Sequence, residues 1–92
     1  MGLDYKDLYS YSVNRIKEKI NINYADEGKD VKQQEFNKGL IYGLFLCLDM
    51  MRTDVIVWDG EKALKEVGLD FDPLEKYDSG TMFDDIDDEY TN

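Results

Sequence analysis

The segment from Val31 to Val57 constrains the fold more than any other part of this chain. Asp30 precedes it as a predicted N-cap, with Gln33 at the third helical position. Its predicted core-facing side chains recur at helical spacing: Phe36, Leu40, Leu44, Cys47, Leu48, Met51 and Val55. Other faces of the same helix also carry apolar groups, at Ile41, Phe45, Leu46 and Met50. A helix that is apolar nearly all round is typical of the buried centre of a domain.

Three local features of this segment bear on how it packs. The β-branched run Val55-Ile56-Val57 fits either the end of a helix or a short strand, and periodicity does not separate the two. Gly39 and Gly43 form a G-x-x-x-G pattern, which predicts close packing of the first helix against small residues or, alternatively, a homodimer through this face. Cys47 is expected to be a buried, inert thiol.

A first helix is predicted from Tyr5 to about Ile20, with Asp4 as its N-cap. One apolar stripe runs along it, through Tyr5, Tyr9, Ser12, Val13, Ile16 and Ile20. The opposite side carries Lys6, Asn14, Lys17 and Glu18. Residues 21–29 are interpreted as a loop because they contain several helix-breaking side chains.

Two short helices are predicted after the central one. Asp59 is the expected N-cap of a helix over 61–67, which Gly68 ends in the C′ position with Leu69 as its apolar partner. Asp72 caps the next helix, which starts at Pro73 and ends near residue 77. The predicted fold is therefore mainly α, a small bundle of about three to four helices over residues 1–77, followed by an acidic amphipathic segment over 78–92.

The composition argues against several kinds of chemistry. The 92-residue chain has no His and a single Cys, which removes internal disulfides, Cys/His zinc sites and His-dependent catalytic triads. Asp70 and Asp72 begin like a calcium loop, but Leu74 and Glu75 occupy the next ligand and glycine positions, so the pattern fails. We therefore expect a non-enzymatic protein with no cofactor and no dedicated metal site.

The location is predicted from what the sequence lacks. The N-terminus has neither a basic region nor an apolar core of the kind that signal peptides need. The apolar run over 40–48 is much shorter than the roughly 20 residues that cross a bilayer. An unpaired Cys suits a reducing compartment. We expect a cytoplasmic protein that does not bind membranes.

The net charge of −10 lies entirely in the second half of the chain. Residues 1–46 carry seven acidic and seven basic side chains, whereas residues 47–92 carry fourteen acidic and four basic ones. Such a surface repels nucleic acid and anionic membranes and attracts a basic protein surface. Many basic protein surfaces are basic because they bind nucleic acid.

The closing segment "TMFDDIDDEYTN" combines this acid with an apolar stripe. Thr81 starts a Thr-x-x-acid signal for a helix, on which Met82, Phe83, Ile86 and Tyr90 would share one face. One interpretation is a docking element for a partner; another is a solvated terminus. In a third, the stripe folds back on the protein's own core, and Asp70, Asp72 and the tail acids form one negative face. The predicted partner-binding residues are Asp84, Asp85, Asp87, Asp88, Glu89, Phe83, Ile86, Tyr90, Asp70 and Asp72.

In size, one-sided charge and the "FDDIDDEY" ending, the chain resembles the short acidic inhibitors encoded by phages and mobile elements, including anti-CRISPR and DNA-mimic proteins. The resemblance is one of type and transfers no particular residues. It implies an inhibitor that occludes the nucleic-acid site of a basic protein, for example a CRISPR nuclease effector. The alternatives are an antitoxin or immunity-type protein, and an adaptor or regulatory subunit.

Overall fold

The computed structural model describes residues 5–25 and 30–84, which form four α-helices and a short 3₁₀ turn. In chain order these are α1 (Tyr5–Ala25), α2 (Val31–Asp59), the 3₁₀ turn (Glu61–Ala63), α3 (Leu64–Val67) and α4 (Pro73–Ser79). No strand occurs within these two ranges, which confirms the predicted all-α class. Residues 55–57, left open between helix and strand, belong to α2.

The helices α1 and α2 form an antiparallel hairpin. The Tyr5 hydroxyl at the start of α1 donates to the carboxylate of Asp59 at the end of α2. One turn further along, the Tyr9 hydroxyl donates to Asp54 Oδ2 at 3.1 Å. α2 begins as predicted, because the Asp30 carboxylate accepts a hydrogen bond from the Gln33 amide at 2.8 Å.

After α2 the chain turns at glycines and returns along one side of the hairpin. Gly60 (φ 84°) ends α2, and Gly68 (φ 79°) ends α3 in the left-handed conformation that glycine adopts without strain. The Leu69 amide then donates to the Leu64 carbonyl at 2.9 Å, and Leu69 is fully buried. The predicted stop at Gly68 is therefore confirmed. The predicted N-cap role of Asp59 is wrong, because Asp59 is the last residue of α2 and accepts from Tyr5 instead.

The core-facing side of α2 agrees only in part with the predicted one. The buried apolar residues of α2 are Ile41, Phe45, Leu48 and Val55, of which Leu48 and Val55 were predicted. The predicted Leu44 and Met51 pack partly buried against the same core. Phe36, predicted to face the core, is 64% exposed, and the Cys47 thiol is exposed. Because apolar groups surround this helix, its own sequence does not determine which stripe the neighbouring elements cover.

The glycines of α2 do not contact the first helix. A Cβ atom built at Gly39 or at Gly43 meets no other atom within 4 Å. The prediction that α1 packs closely against these glycines is therefore wrong. They lie on the side of α2 that faces away from the hairpin core.

Two polar residues of α1 are buried, although the sequence places them on the solvent side. Lys17 is 1% exposed and Asn14 is 7% exposed. The long apolar stem of a lysine packs like an aliphatic side chain while its ammonium group finds favourable contacts. α1 also continues past the predicted end at Ile20 to Ala25, so Asn21 and Asn23 lie within the helix and not in a loop.

Candidate partner-binding face

The site is built around Phe83, which anchors a non-helical strap, residues 81–84, to the helical core. Phe83 is 7% exposed. Its ring stacks on Phe45 of α2 at a centroid distance of 5.7 Å and meets the edge of Phe71 at 5.4 Å. Of the interpretations left open by the sequence, the described part of the strap follows the third: Phe83 folds back on the protein's own core.

Asn21 of α1 holds the backbone of the strap at the same point. Its side-chain Nδ2 donates to the Phe83 carbonyl at 2.7 Å, and the Phe83 amide donates to Asn21 Oδ1 at 2.8 Å. One amide side chain therefore satisfies both backbone groups of Phe83, as a neighbouring β-strand would. Sequence reasoning missed this residue, because a contact across 62 positions leaves no local pattern.

Two lysines contact the buried ring of Phe83. Lys17 Nζ lies 5.2 Å from the ring centroids of both Phe71 and Phe83, and Lys76 Nζ lies 5.0 Å from that of Phe83. Such ammonium–ring distances lie within the range of cation–π attraction. The strap is therefore held by stacking, by hydrogen bonds and by two cations.

Thr81 does not start a helix within the described residues. Lys76 Nζ donates to Thr81 Oγ1 and to the Met82 carbonyl, both at 2.8 Å. The hydroxyls of Ser79 and Thr81 are 2.9 Å apart. The side chain that was predicted to cap a new helix instead ties the strap to the end of α4, and residues 81–84 are non-helical.

Docking of Phe83 brings Asp84 next to Asp70. Both residues line one shallow depression of about 300 Å³, together with Phe71, Lys76 and Phe83. A second depression beside it is lined by Asp72, Glu75 and Ser79, and it shares Phe71 and Lys76 with the first. The acidic face is defined here as Asp70, Asp72, Glu75 and Asp84, four exposed residues that surround a partly buried Lys76.

The members of the acidic face differ in how free their oxygens are. Asp72 Oδ1 accepts from the amides of Leu74 and Glu75 at 3.1 and 3.3 Å, which confirms its predicted role as the N-cap of α4. Asp70 and Asp84 lie outside the helices and are exposed. Of the three predicted acids that the structure describes, these two are therefore better placed than Asp72 to meet a partner.

Six of the predicted partner-binding residues lie outside the described residues: Asp85, Ile86, Asp87, Asp88, Glu89 and Tyr90. Of the remaining four, Asp70, Asp72 and Asp84 come together on the acidic face. Phe83 is part of the core and is covered by the chain itself. Sequence reasoning also missed Phe71, whose large ring between two aspartates was the available signal.

A second cluster lies at the far end of the hairpin. The rings of Tyr5, Tyr9 and Trp58 contact one another at centroid distances of 5.1–5.8 Å. Burial, and then the hydrogen bond to Asp54, raises the pKa of Tyr9 above its usual range. Nearby, Lys6 Nζ pairs with Glu66 at 2.8 Å, and this contact raises the pKa of Lys6. Lys6 and Lys62 line the surrounding depression, so this end is less one-sidedly negative than the acidic face.

Two further findings concern the described residues alone. No group of three or more Cys, Asp or Glu side chains among them is arranged to hold a metal ion. None of their helices combines the length and apolar character needed to cross a membrane.

Comparison with known proteins finds no matching family model, no similar curated protein and no similar solved structure. The function is therefore argued from the acidic face and its neighbours alone.

Proposed function

We propose that this chain is a non-enzymatic inhibitor whose acidic face binds a basic, nucleic-acid-handling protein and occludes its nucleic-acid site. The observation that supports this function best is the burial of Phe83, which places Asp84 beside Asp70. The described acids thereby form a surface carried by a packed core and are not spread along a free tail.

The proposed mechanism is the substitution of carboxylates for phosphates. Carboxylates and phosphates both accept paired hydrogen bonds from arginine, so the same basic groove can bind either. Four exposed carboxylates around one lysine leave the acidic face negative, and the net charge of −10 adds long-range attraction. Association with the partner is therefore expected to weaken steeply as salt is added.

The first test is capture at two salt concentrations. The immobilised protein is exposed to a host-cell lysate and to purified CRISPR nuclease effectors, and displacement of labelled DNA from each captured protein is measured by fluorescence anisotropy. Capture of a nuclease effector at low salt, with loss of its DNA, supports the proposal. Capture of a cognate toxin supports the antitoxin alternative, and failure to bind any basic partner at low salt contradicts both.

The second test removes charge from the acidic face without changing its shape. Asp70→Asn combined with Asp84→Asn is expected to weaken partner binding by more than about tenfold, because charge-assisted hydrogen bonds are lost. The matched control is Asp7→Asn with Glu35→Gln, which removes the same charge from exposed positions on α1 and α2. Equal weakening by both pairs would show that only net charge matters and would overturn the proposed face.

A companion variant addresses the rest of the tail. Changing Asp84, Asp85, Asp87 and Asp88 together to Asn is also expected to weaken binding by more than about tenfold while the domain stays folded. Unchanged affinity in a folded variant would move the site to other acids, with Asp59, Glu61, Asp70 and Asp72 next to be tested. A cytoplasmic location is part of the same proposal. An adaptor or regulatory subunit is an alternative to it, and the identity of the captured partner distinguishes the two.

A further inference from the structure

A second apolar stripe runs along α2 on the side that faces away from the core. Its residues alternate in steps of three and four, which is the spacing of a coiled-coil seam. We call them the seam: Phe36, Gly39, Gly43, Leu46, Met50, Thr53 and Val57. Its large members are exposed to 64% at Phe36, 37% at Leu46, 65% at Met50 and 75% at Val57.

The seam has the extent of a helix–helix interface. It covers 22 residues of α2, or about 32 Å of helix. Large contiguous apolar patches on soluble monomers commonly mark interaction sites. The residues that pack against the core lie on the opposite side of the same helix, at Ile41, Leu48 and Val55. Covering the seam would bury a second side of α2, which accords with its all-round apolar sequence.

When two copies of the seam face each other in antiparallel directions, large residues of one copy meet small residues of the other. In an antiparallel pair centred between Gly43 and Leu46, Met50 of one copy lies over Gly39 of the other. Leu46 in turn lies over Gly43. A Cβ built at either glycine meets nothing within 4 Å, so both positions offer room for such a side chain. A parallel pair would instead place glycine on glycine and methionine on methionine.

The charges of α2 favour the same direction. The first half of the helix carries Lys32 and Lys38 with Glu35, whereas the second half carries Asp49, Asp54 and Asp59 with Arg52. Antiparallel pairing brings the half of net positive charge near the acidic half of the other copy, whereas parallel pairing brings the two acidic halves together. Asp54 and Asp59 act here through the long-range field, since their carboxylates accept from Tyr9 and Tyr5 of α1. We propose that a second copy of this chain binds along the seam, with the two α2 helices antiparallel.

Sedimentation at increasing protein concentration tests the pairing. The wild-type chain is expected to form dimers at micromolar concentration, and Met50→Asp is expected to raise the dimer dissociation constant at least about tenfold by placing a charge within the seam. The matched control is Ile22→Asp, at a 55%-exposed position on α1, which is expected to leave the constant unchanged. A wild-type chain that stays monomeric, or equal effects of both variants, would overturn the proposal.

Gly43→Leu separates dimerisation from folding. The monomer has open space at this position, so the circular dichroism of the variant is expected to match that of the wild-type chain. The added side chain fills the space that Leu46 of the second copy needs, and the dimer is expected to be lost. A folded variant that still forms dimers would show that the two copies do not meet at the glycines.

The direction of the helices is tested with spin labels and pulsed electron resonance. A label on Cys47, the chain's one cysteine, lies near the proposed two-fold axis, and the two labels are expected to be less than about 20 Å apart. With Lys32→Cys in a Cys47→Ser background, the antiparallel pair separates the labels by about 40 Å. Short distances at both sites would mean parallel helices and would overturn the proposed arrangement.

The seam shares no residue with the acidic face, so the dimer and the proposed inhibitor function fail independently. A monomer whose seam becomes protected from hydrogen exchange when the basic partner binds would assign the seam to that partner. This outcome would overturn pairing with a second copy and leave the acidic face untouched.

Discussion

Asn21 is the single side chain on which the position of the acidic strap depends most directly. It satisfies both backbone groups of Phe83, with hydrogen bonds of 2.7 and 2.8 Å. Because Phe83 is buried, water could not readily replace these two hydrogen bonds if Asn21 were removed. The contact thus joins the first helix to the residue that precedes Asp84.

We expect Asn21→Ala to lower the free energy of unfolding by about 1–3 kcal/mol, because buried partners are left without hydrogen bonds. Hydrogen exchange at the Phe83 amide is expected to become faster. The control is Asn23→Ala, since the Asn23 amide donates only to the Lys19 carbonyl one turn back on the same helix, at 2.8 Å. Its expected cost is within about 0.5 kcal/mol. Similar losses in urea denaturation of the two variants would contradict the clamp role.

At the scale of the elements, the C-terminal cap of α3 shows how two residues, Gly68 and Leu69, set the direction in which the chain leaves a helix. Gly68 has a φ of 79°, and the amides of Gly68 and Leu69 close the end of α3 on the carbonyls of Lys65 and Leu64. A Cβ built at Gly68 would lie 3.5 Å from Lys17 Nζ and 3.6 Å from Val13 Cγ1, which is ordinary contact. Backbone conformation, and not lack of space, is therefore the reason for glycine here.

Gly68→Ala is expected to cost about 1–2 kcal/mol of stability, the penalty for placing a Cβ in the left-handed conformation. Gly68→Asn is the matched variant, because asparagine tolerates this conformation better while being larger. Its loss in thermal or urea denaturation should be clearly smaller than that of the alanine variant. A larger loss for asparagine would show that crowding against Lys17 and Val13 decides the residue instead.

The sequence predicted those helix ends that are determined by a capping residue within the same turn of helix. Asp30, Gly68 and Asp72 act as predicted because a cap needs only its own turn of helix. The buried face of α2 was predicted only in part, at Leu48 and Val55, and the burial of Lys17 was not predicted. Both depend on elements distant in sequence. The acidic face was foreseen only as one alternative, since its geometry depends on Phe83 meeting Phe45 and Asn21.

At the scale of the whole molecule, two partly buried tyrosines make stability depend on pH at the alkaline end. Burial, followed by Asp54, raises the pKa of Tyr9 above its usual value of 10.0, and burial raises the pKa of Tyr24 as well. A raised pKa means that the folded protein favours the protonated phenol. The resulting stability is fully present below about pH 10 and is lost as the pH rises through the higher folded-state values.

We therefore expect the free energy of unfolding from urea titrations to fall as the pH rises above about 10. Tyr9→Phe is expected to lower the free energy of unfolding somewhat at neutral pH, because the hydrogen bond to Asp54 is lost. Its free energy of unfolding is expected to fall less steeply than that of the wild-type chain as the pH rises. Adding Tyr24→Phe should flatten the decline further. A decline equally steep in the wild-type chain and in both variants would assign the alkaline loss to other groups.

The elongated shape of the described chain, with extents of 47 × 27 × 19 Å, separates its two ends in space. Trp58, the chain's one tryptophan, packs on Tyr5 at a centroid distance of 5.1 Å, thirteen residues along α2 from the Phe45 that supports Phe83. That spacing corresponds to about 20 Å of helix. Tryptophan emission, excited selectively over that of the tyrosines, therefore reports on the end of the hairpin where the start of α1 meets the end of α2, and it is expected to be insensitive to release of the strap. An unfolding curve from tryptophan emission can be compared with one from hydrogen exchange at the Phe83 amide. The comparison will show whether the two ends of the molecule unfold as one unit.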